Sequence, residues 1–118
     1  MNIDYGLGSK GGTKRYLDSI PQMHTIDQIN RKTKMQKINV VGKFDRKGTP
    51  KPTSTKYGES YTVTGFLKDD TAEIKCQLWG DIANTIKNGD ILKLLNAYSR
   101  NGRLFNKKDG TEEILGST

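Results

Sequence analysis

The sequence predicts an all-β domain, a small barrel of five strands with a short helix between the third and fourth strands. From Gln36 onward, β-branched residues alternate with polar ones and turn residues separate the runs, which is typical of half-buried strands. The chain has 118 residues and only 32% of them are hydrophobic, which favours one small core over two. Gly42 falls on the apolar face in the middle of the first run, where it indicates a bend or bulge of the kind that a coiled barrel strand needs.

The ordered domain is expected to begin with a short helical turn and to cover residues 25–118. Residues 25–28 fit a capping box, in which Thr25 caps the turn and Gln28 reaches back to its amide. Ile26 and Ile29 would then close one end of the core. The preceding residues 1–24 are glycine-rich and basic, and we expect a flexible arm. Such an arm could lie along nucleic acid, but a terminus with no fixed role is the favoured interpretation.

Three strands are expected to follow. The first covers residues 37–46, a long, basic, exposed loop covers 47–60, the second strand covers 61–68, a tight turn covers 69–71, and the third strand covers 72–79. In the third strand the alternation is clean and assigns each side chain to a face. The inward side chains are Ile74, Cys76 and Leu78, and the outward ones are Glu73, Lys75, Gln77 and Trp79.

The second half of the chain continues with a helix and a hairpin. Asp81 is expected to cap a helix of about two turns. The strand over residues 90–98 has apolar side chains in both phases, which indicates a central or bulged strand. Asn101-Gly102 is a hairpin signal, and the last strand begins at 103–105 and resumes near 113–115.

The composition excludes several classes of function. With one cysteine and one histidine, the chain has no internal disulfide, no four-ligand zinc site of its own and no credible nucleophile–base pair. We therefore expect no catalysis, no metal and no cofactor. The apolar runs are too short for a membrane span or a signal peptide, so we expect a soluble, intracellular, cytoplasmic protein.

The charge points to a polyanionic ligand. The formal net charge is +7, and residues 1–68 carry 13 basic and 5 acidic side chains, whereas residues 69–118 carry 7 and 8. An uneven positive field attracts phosphates, because Lys and Arg release condensed counterions when they bind them. A merely soluble surface is the alternative that charge alone leaves open.

The order of elements is that of an OB-fold, a partly open Greek-key barrel. Residues 78–81 (Leu-Trp-Gly-Asp), 89–91 (Gly-Asp-Ile) and 96–98 (Asn-Ala-Tyr) resemble the pattern of archaeal single-stranded DNA-binding proteins and of archaeal replication protein A OB domains. The turn at 69–71 and the opening Asp27-Gln28-Ile29 resemble that family too. The resemblance covers about residues 25–115, and its combined motifs are more specific than any one alone.

The resemblance implies sequence-tolerant binding of single-stranded DNA in replication, recombination or repair, near the nucleoid, by a monomer or weak oligomer. It also implies replication or repair proteins as partners, and relatives accept RNA. Two features of the family are not matched. The Gly-rich acidic tail that recruits partners has no counterpart before Thr118, and Asn101-Gly102 stands where some relatives have a third aromatic, so that Phe105 is an approximate substitute.

Stacking aromatics and phosphate-binding cations are the residue types that this binding requires. The expected stacking residues are Trp79, Tyr98, Phe105, Tyr57 and Phe66. The expected phosphate or base contacts are Lys75, Gln77, Lys43, Arg46, Lys47, Lys51, Lys56, Arg100 and Arg103. The footprint should be about 4–5 nucleotides, the low end for one OB domain.

Two alternatives remain open at this point. The domain could be a protein-interaction subunit of a replication protein A-like complex, with an acidic peptide in its groove, or a module for structured RNA or tRNA. A peptide groove has no need for both Trp79 and Tyr98 on its polar surface.

Overall fold

The computed structural model describes residues 22–117. Most of the arm expected over residues 1–24 therefore lies outside the described residues, as does Thr118. The elements are α1 (Ile26–Asn30), β1 (Lys34–Asp45), β2 (Lys51–Thr55), β3 (Gly58–Lys68), β4 (Glu73–Trp79), α2 (Ile82–Thr85), β5 (Asp90–Arg100), β6 (Arg103–Phe105) and β7 (Thr111–Ser117).

The strands form one sheet that closes on itself. Its order is β1-β3-β4-β6-β5-β7, and β1 also pairs with β5, which completes a barrel. The predicted all-β barrel, with a short helix between its third and fourth long strands, is confirmed. The predicted strand count of five is wrong, because the described residues form seven strands. One additional strand is β2, and the last predicted strand consists of β6 and β7 with a loop between them.

The expected long loop over residues 47–60 is largely a β-hairpin. β2 pairs with β3 from Lys51 opposite Thr62 to Thr55 opposite Gly58. The two prolines in this segment indicated a loop, but β2 pairs with β3 alone, and an edge strand tolerates proline because one row of its backbone groups needs no partner. Gly58, with a φ of 115°, makes the tight turn.

Gly42 lies where β1 changes its partner strand. Residues 34–43 of β1 pair with β5, and residues 43–45 pair with β3. A Cβ atom at Gly42 would lie 2.8 Å from the carbonyl oxygen of Lys68, so a side chain there would push β3 away. The coiling inferred from this glycine therefore has a specific basis, the close approach of two backbones.

The core fills the barrel and its end near α1. Phe44 lies over Gly65, where any side chain would collide with its ring. The predicted inward residues of the third strand are buried, as are Ile26 and Ile29 of α1. The other buried apolar residues are Ile38, Val40, Val63, Leu67, Ala83, Ile86, Leu92, Leu94, Ala97 and Leu104.

The two helices differ in how well their ends were predicted. The capping box of α1 is confirmed, because the Gln28 amide donates to Thr25 Oγ1 and the Thr25 amide to Gln28 Oε1. For α2 the prediction of a two-turn helix capped by Asp81 is wrong. Asp81 makes no side-chain cap, and the chain becomes extended at Ile86, which buries that side chain. The helix ends early because the extended backbone at Ile86 places this side chain in the core.

Candidate functional site

One outward face of the barrel carries most of the side chains predicted to bind a ligand. Residues directly opposite each other in paired strands point to the same side of a sheet. Gln77 of β4 lies opposite Phe105 of β6, which lies opposite Tyr98 of β5. The next row consists of Phe66, Lys75, Arg103 and Arg100. Pairing between four strands, β3, β4, β6 and β5, thus assembles residues that are distant in sequence.

Trp79 lies at one end of this face. It is opposite Thr62, which is itself opposite Lys51, so these three side chains form a further row. Trp79 is half-buried, which agrees with its predicted place on the polar face of the third strand. Gln77 is held between its neighbours, since Arg103 Nη1 donates to its Oε1 (2.9 Å) and its Nε2 donates to Thr62 Oγ1 (3.2 Å).

A β-bulge in β5 turns Tyr98 outward. Leu92 and Leu94 are buried, so simple alternation would place residue 98 inside the barrel. Instead, the register with β1 shifts by one residue between Leu94 and Ala97, and Asn96 adopts a left-handed φ of 58°. Ala97 and Ser99 are then buried, and Tyr98 reaches the outward face.

Trp79 and Tyr98 open into one groove of about 1120 Å³. The turn between β2 and β3 forms one wall, and the loop between β6 and β7 forms the other. Tyr98 also stacks on Phe105, with ring centroids 4.9 Å apart and an angle of 17° between the planes. The groove lining comprises Thr55, Lys56, Tyr57, Glu59, Ser60, Trp79, Gly80, Tyr98, Asn106, Lys107, Lys108, Asp109, Gly110 and Glu112.

Tyr57 bridges the two walls. Its side chain is 62% exposed, and Lys108 Nζ lies 3.5 Å from its ring centroid. Lys56 Nζ lies 5.2 Å from the same centroid. The contact with Lys108 holds the tip of the β2–β3 hairpin next to the β6–β7 loop, whereas the contact with Lys56 lies within the hairpin itself.

Phe66 lies on the outward face, but Arg46 covers one face of its ring. The Arg46 guanidinium lies 3.8 Å from the ring centroid, and Arg46 Nη2 donates to Glu73 Oε1 at 2.6 Å. The pKa of Arg46 is raised, first by its hydrogen bond to Glu73 and next by that to Asp45, against the opposing effect of desolvation. Arg46 is thus engaged with protein groups, and it occupies a ring face that a base would need.

The cations predicted from the first loop separate into different places. Lys56 lines the groove, whereas Lys51 lies in the row of Trp79 on β2. Lys47 donates from Nζ to the Ile86 carbonyl at 2.7 Å, which directs it toward the end of α2. Lys43 lies opposite Lys68 in the β1–β3 pair. The structure therefore does not bring Lys43, Arg46 and Lys47 to the groove.

Lys107, Lys108 and Asn106 are the site residues that the sequence argument missed. The sequence Lys-Lys-Asp-Gly at residues 107–110 is typical of a solvent-exposed turn. In the structure it belongs to the loop between β6 and β7, and this loop lies beside the groove. Acidic side chains also line the groove, namely Glu59, Asp109 and Glu112, and Lys107 pairs with Asp109 at 3.8 Å. The charge of the groove is therefore mixed.

Residues 22–117 contain no metal-binding cluster, no reactive cysteine and no membrane-spanning helix. No group of three or more metal-ligating side chains lies together in this range. Cys76 is fully buried, and desolvation raises the pKa of its thiol to about 12, which keeps it protonated and unreactive. No helix within the same range is long and apolar enough to cross a membrane.

Comparisons with known proteins identify the fold. The second OB-fold domain of replication protein A from Methanococcus maripaludis superimposes with a TM-score of 0.55 at 24% identity, covering 70% of this chain and 86% of that chain. The chain is an OB-fold domain. A replication protein A heterotrimer bound to single-stranded DNA matches this OB-fold domain with a TM-score of 0.61 at 19% identity, over 80% of this chain and 25% of that chain.

A curated protein shares sequence with the OB-fold domain as well. The single-stranded DNA-binding protein of Saccharolobus solfataricus is 30% identical over 70 residues, which is 59% of this chain and 47% of that protein. The chain thus spans about half the length of this relative. No protein-family model matches this chain. The resemblance to archaeal single-stranded DNA-binding OB domains is confirmed.

Proposed function

We propose that this OB-fold domain binds single-stranded DNA in the groove, with bases stacked on Trp79 and on the Tyr98–Phe105 pair. The observation that carries the proposal is that Trp79 and Tyr98, from different strands, open into one groove beside three lysines. Aromatic faces accept any base, and each stacked base contributes roughly 1–3 kcal/mol. Binding by such a surface tolerates sequence variation.

The backbone of the strand would follow the cations. Lys56, Lys107 and Lys108 surround Trp79 and Tyr98, which form the aromatic floor of the groove, and they are placed to contact phosphates. Lys75 and Arg100 continue the path on the outward face, in the row next to Tyr98 and Phe105. A strand leaving the groove would therefore meet positive charge along the sheet.

The nature of the relatives favours DNA over the alternatives. One similar protein is named as a single-stranded DNA-binding protein, and another was solved with single-stranded DNA bound. An acidic peptide would be held chiefly by charge, and the presence of Glu59, Asp109 and Glu112 along the groove weakens that attraction. The stacking of bases on Trp79 and on the Tyr98–Phe105 pair is weakened less by these carboxylates than the binding of an acidic peptide would be.

The decisive test is substitution of Trp79. Because the chain contains one tryptophan, fluorescence quenching by an unlabelled thymine 12-mer reports on this position alone. We expect Trp79→Ala to weaken binding of a fluorescein-labelled 12-mer at least tenfold, within the range given by the loss of one stacked base. Trp79→Phe is the matched control and should retain most of the affinity. Unchanged affinity of Trp79→Ala would overturn the stacking mechanism.

Ligand comparison separates the classes of partner. An abasic 12-mer has the phosphates without the bases and should bind far more weakly than the thymine 12-mer. Equal binding of the two would show that charge alone holds the strand. A uridine 12-mer tests RNA, a folded tRNA tests structured RNA, and a glutamate 12-mer tests an acidic peptide. Preference for any of these over the thymine 12-mer would contradict DNA as the ligand.

A further inference from the structure

The backbone of Trp79 points away from its β3 neighbour. Gly80 donates its amide to the carbonyl of Tyr61 at 2.9 Å, and Thr62 lies opposite Trp79 in the same antiparallel pair. Hydrogen-bonded and non-hydrogen-bonded pairs alternate along an antiparallel ladder. The pair of Thr62 and Trp79 is therefore a non-hydrogen-bonded one, and the Trp79 N–H and C=O point toward the β6 side.

β6 is too short to satisfy these groups with its own backbone. It ends at Phe105, which lies opposite Gln77, two residues before Trp79. The carboxamide of Asn106 takes the place of the missing strand. Its Oδ1 accepts the Trp79 N–H at 2.9 Å, and its Nδ2 donates to the Trp79 carbonyl at 2.9 Å. An amide is the side chain that can both accept and donate in this way, and the two partners decide its orientation.

We propose that Asn106 is a positioning residue that holds the Trp79 indole on the groove. Asn106 is only 8% exposed, so the two hydrogen bonds are largely shielded from water and their loss leaves the backbone groups of Trp79 without these partners. Asn106 also begins the segment that carries Lys107 and Lys108, both of which line the groove. Through this one residue the aromatic floor and the cationic wall keep a fixed separation.

The matched pair of variants is Asn106→Ala and Asn88→Ala. Asn88 also joins two distant segments through its carboxamide, since its Oδ1 accepts the Lys47 amide at 2.8 Å, and it does not line the groove. Both variants should lose stability. We expect Asn106→Ala to bind the thymine 12-mer about tenfold more weakly, whereas Asn88→Ala should bind within twofold of the parent. Equal affinities for the two variants would overturn the proposal.

A double-mutant cycle separates positioning from a general structural effect. In a Trp79→Ala background, Asn106→Ala should cause a much smaller loss of affinity, because there is no indole left to position and only the placement of Lys107 and Lys108 is affected. A full tenfold loss in that background would contradict the proposal. Circular dichroism establishes that each variant is folded at the assay temperature, and Asn106→Ser serves as a second, milder variant if Asn106→Ala is not.

A measurement on the unliganded protein distinguishes this inference from the proposed function on which its binding role rests. Loss of the two hydrogen bonds should lower the fluorescence anisotropy of Trp79 and raise its quenching by acrylamide, in the absence of DNA. No change in either would refute positioning even if DNA binds as proposed. Conversely, if Trp79→Ala binds DNA normally, the stacking mechanism is refuted while the anisotropy result still decides the role of Asn106.

Discussion

At the residue scale, Asp69 shows how one carboxylate joins distant parts of the chain. Its oxygens accept from the amides of Ile26 (2.9 Å), Thr71 (2.8 Å) and Ala72 (3.1 Å) and from the Thr71 hydroxyl (2.6 Å). Thr71 in turn accepts the amide of Asp27. The turn over residues 69–71 was predicted from the sequence, but its second task, capping the N-terminus of α1, required the tertiary structure.

Replacing Asp69 should destabilise the domain in a pH-dependent way. Desolvation alone would raise the pKa of Asp69, but the hydrogen bonds from Thr71, Ile26 and Ala72 outweigh it and lower the pKa below the ordinary value of 3.8. The unfolded chain thus binds this proton first, so the contribution is present above pH 3.8 and is lost as the pH falls through the folded pKa. We expect Asp69→Asn to cost about 1–2 kcal/mol at neutral pH.

Urea unfolding at several pH values measures this effect. The difference in unfolding free energy between the parent and Asp69→Asn should narrow as the pH falls below 3.8. Asp70→Asn, at the exposed neighbouring position, is the control and should leave stability nearly unchanged. If the difference in unfolding free energy between the parent and Asp69→Asn stays constant at every pH below 3.8, the ionised carboxylate is not what stabilises the turn.

At the element scale, two β-bulges decide which side chains of β1 and β5 face outward and which face the core. One lies in β1 near Lys37 and one in β5 near Asn96, and both residues have a left-handed φ. The apolar residues in both phases of β5 indicated a bulge from sequence. Its position could not be assigned, because several placements satisfy the same pattern, and the pairing with β1 selects one of them. That choice alone determines whether Tyr98 is buried or faces the groove.

Substitutions at Asn96 test the bulge. A left-handed conformation costs an ordinary L-residue about 1–2 kcal/mol, and asparagine and glycine tolerate it better. We expect Asn96→Ala to lower the unfolding free energy by about 1 kcal/mol and Asn96→Gly to change it by much less. Urea unfolding of the two variants provides the comparison. Equal effects of the two would indicate that the conformation at Asn96 is not a source of strain.

At the scale of the whole molecule, the groove is assembled from separate segments. The β2–β3 turn, the end of β4, the C-terminal part of β5 and the β6–β7 loop each contribute side chains. The charge pattern predicted that cations of residues 1–68 would flank the aromatics. Among the lysines that line the groove, Lys56 comes from that half and Lys107 and Lys108 from the other. The overall surplus of charge therefore did not locate the cations beside the aromatic floor.

Salt dependence provides a test at this scale. A footprint of about 4–5 nucleotides permits about four phosphate contacts, for which the logarithm of affinity should fall with the logarithm of salt concentration at a slope near −3. Replacing both Lys107 and Lys108 by alanine should reduce the slope by about 1. Lys87→Ala, at an exposed position outside the groove, is the control. An unchanged slope for the double variant would exclude contacts from the β6–β7 loop to phosphates.

The local sequence pattern determined the faces of the third predicted strand, the start of α1 and the type of fold. Alternation placed Trp79 and Lys75 outward and Cys76 inward, the capping box defined α1, and the order of elements indicated an OB-fold. These features depend on neighbouring residues, whose geometry is nearly fixed by the backbone. The tertiary structure alone decided that Arg46 covers Phe66, that β2 forms on the edge of β3, and that Asn106 replaces a strand beside Trp79. Each of these depends on which distant segments pack together, and that is governed by closure of the barrel, not by any local pattern.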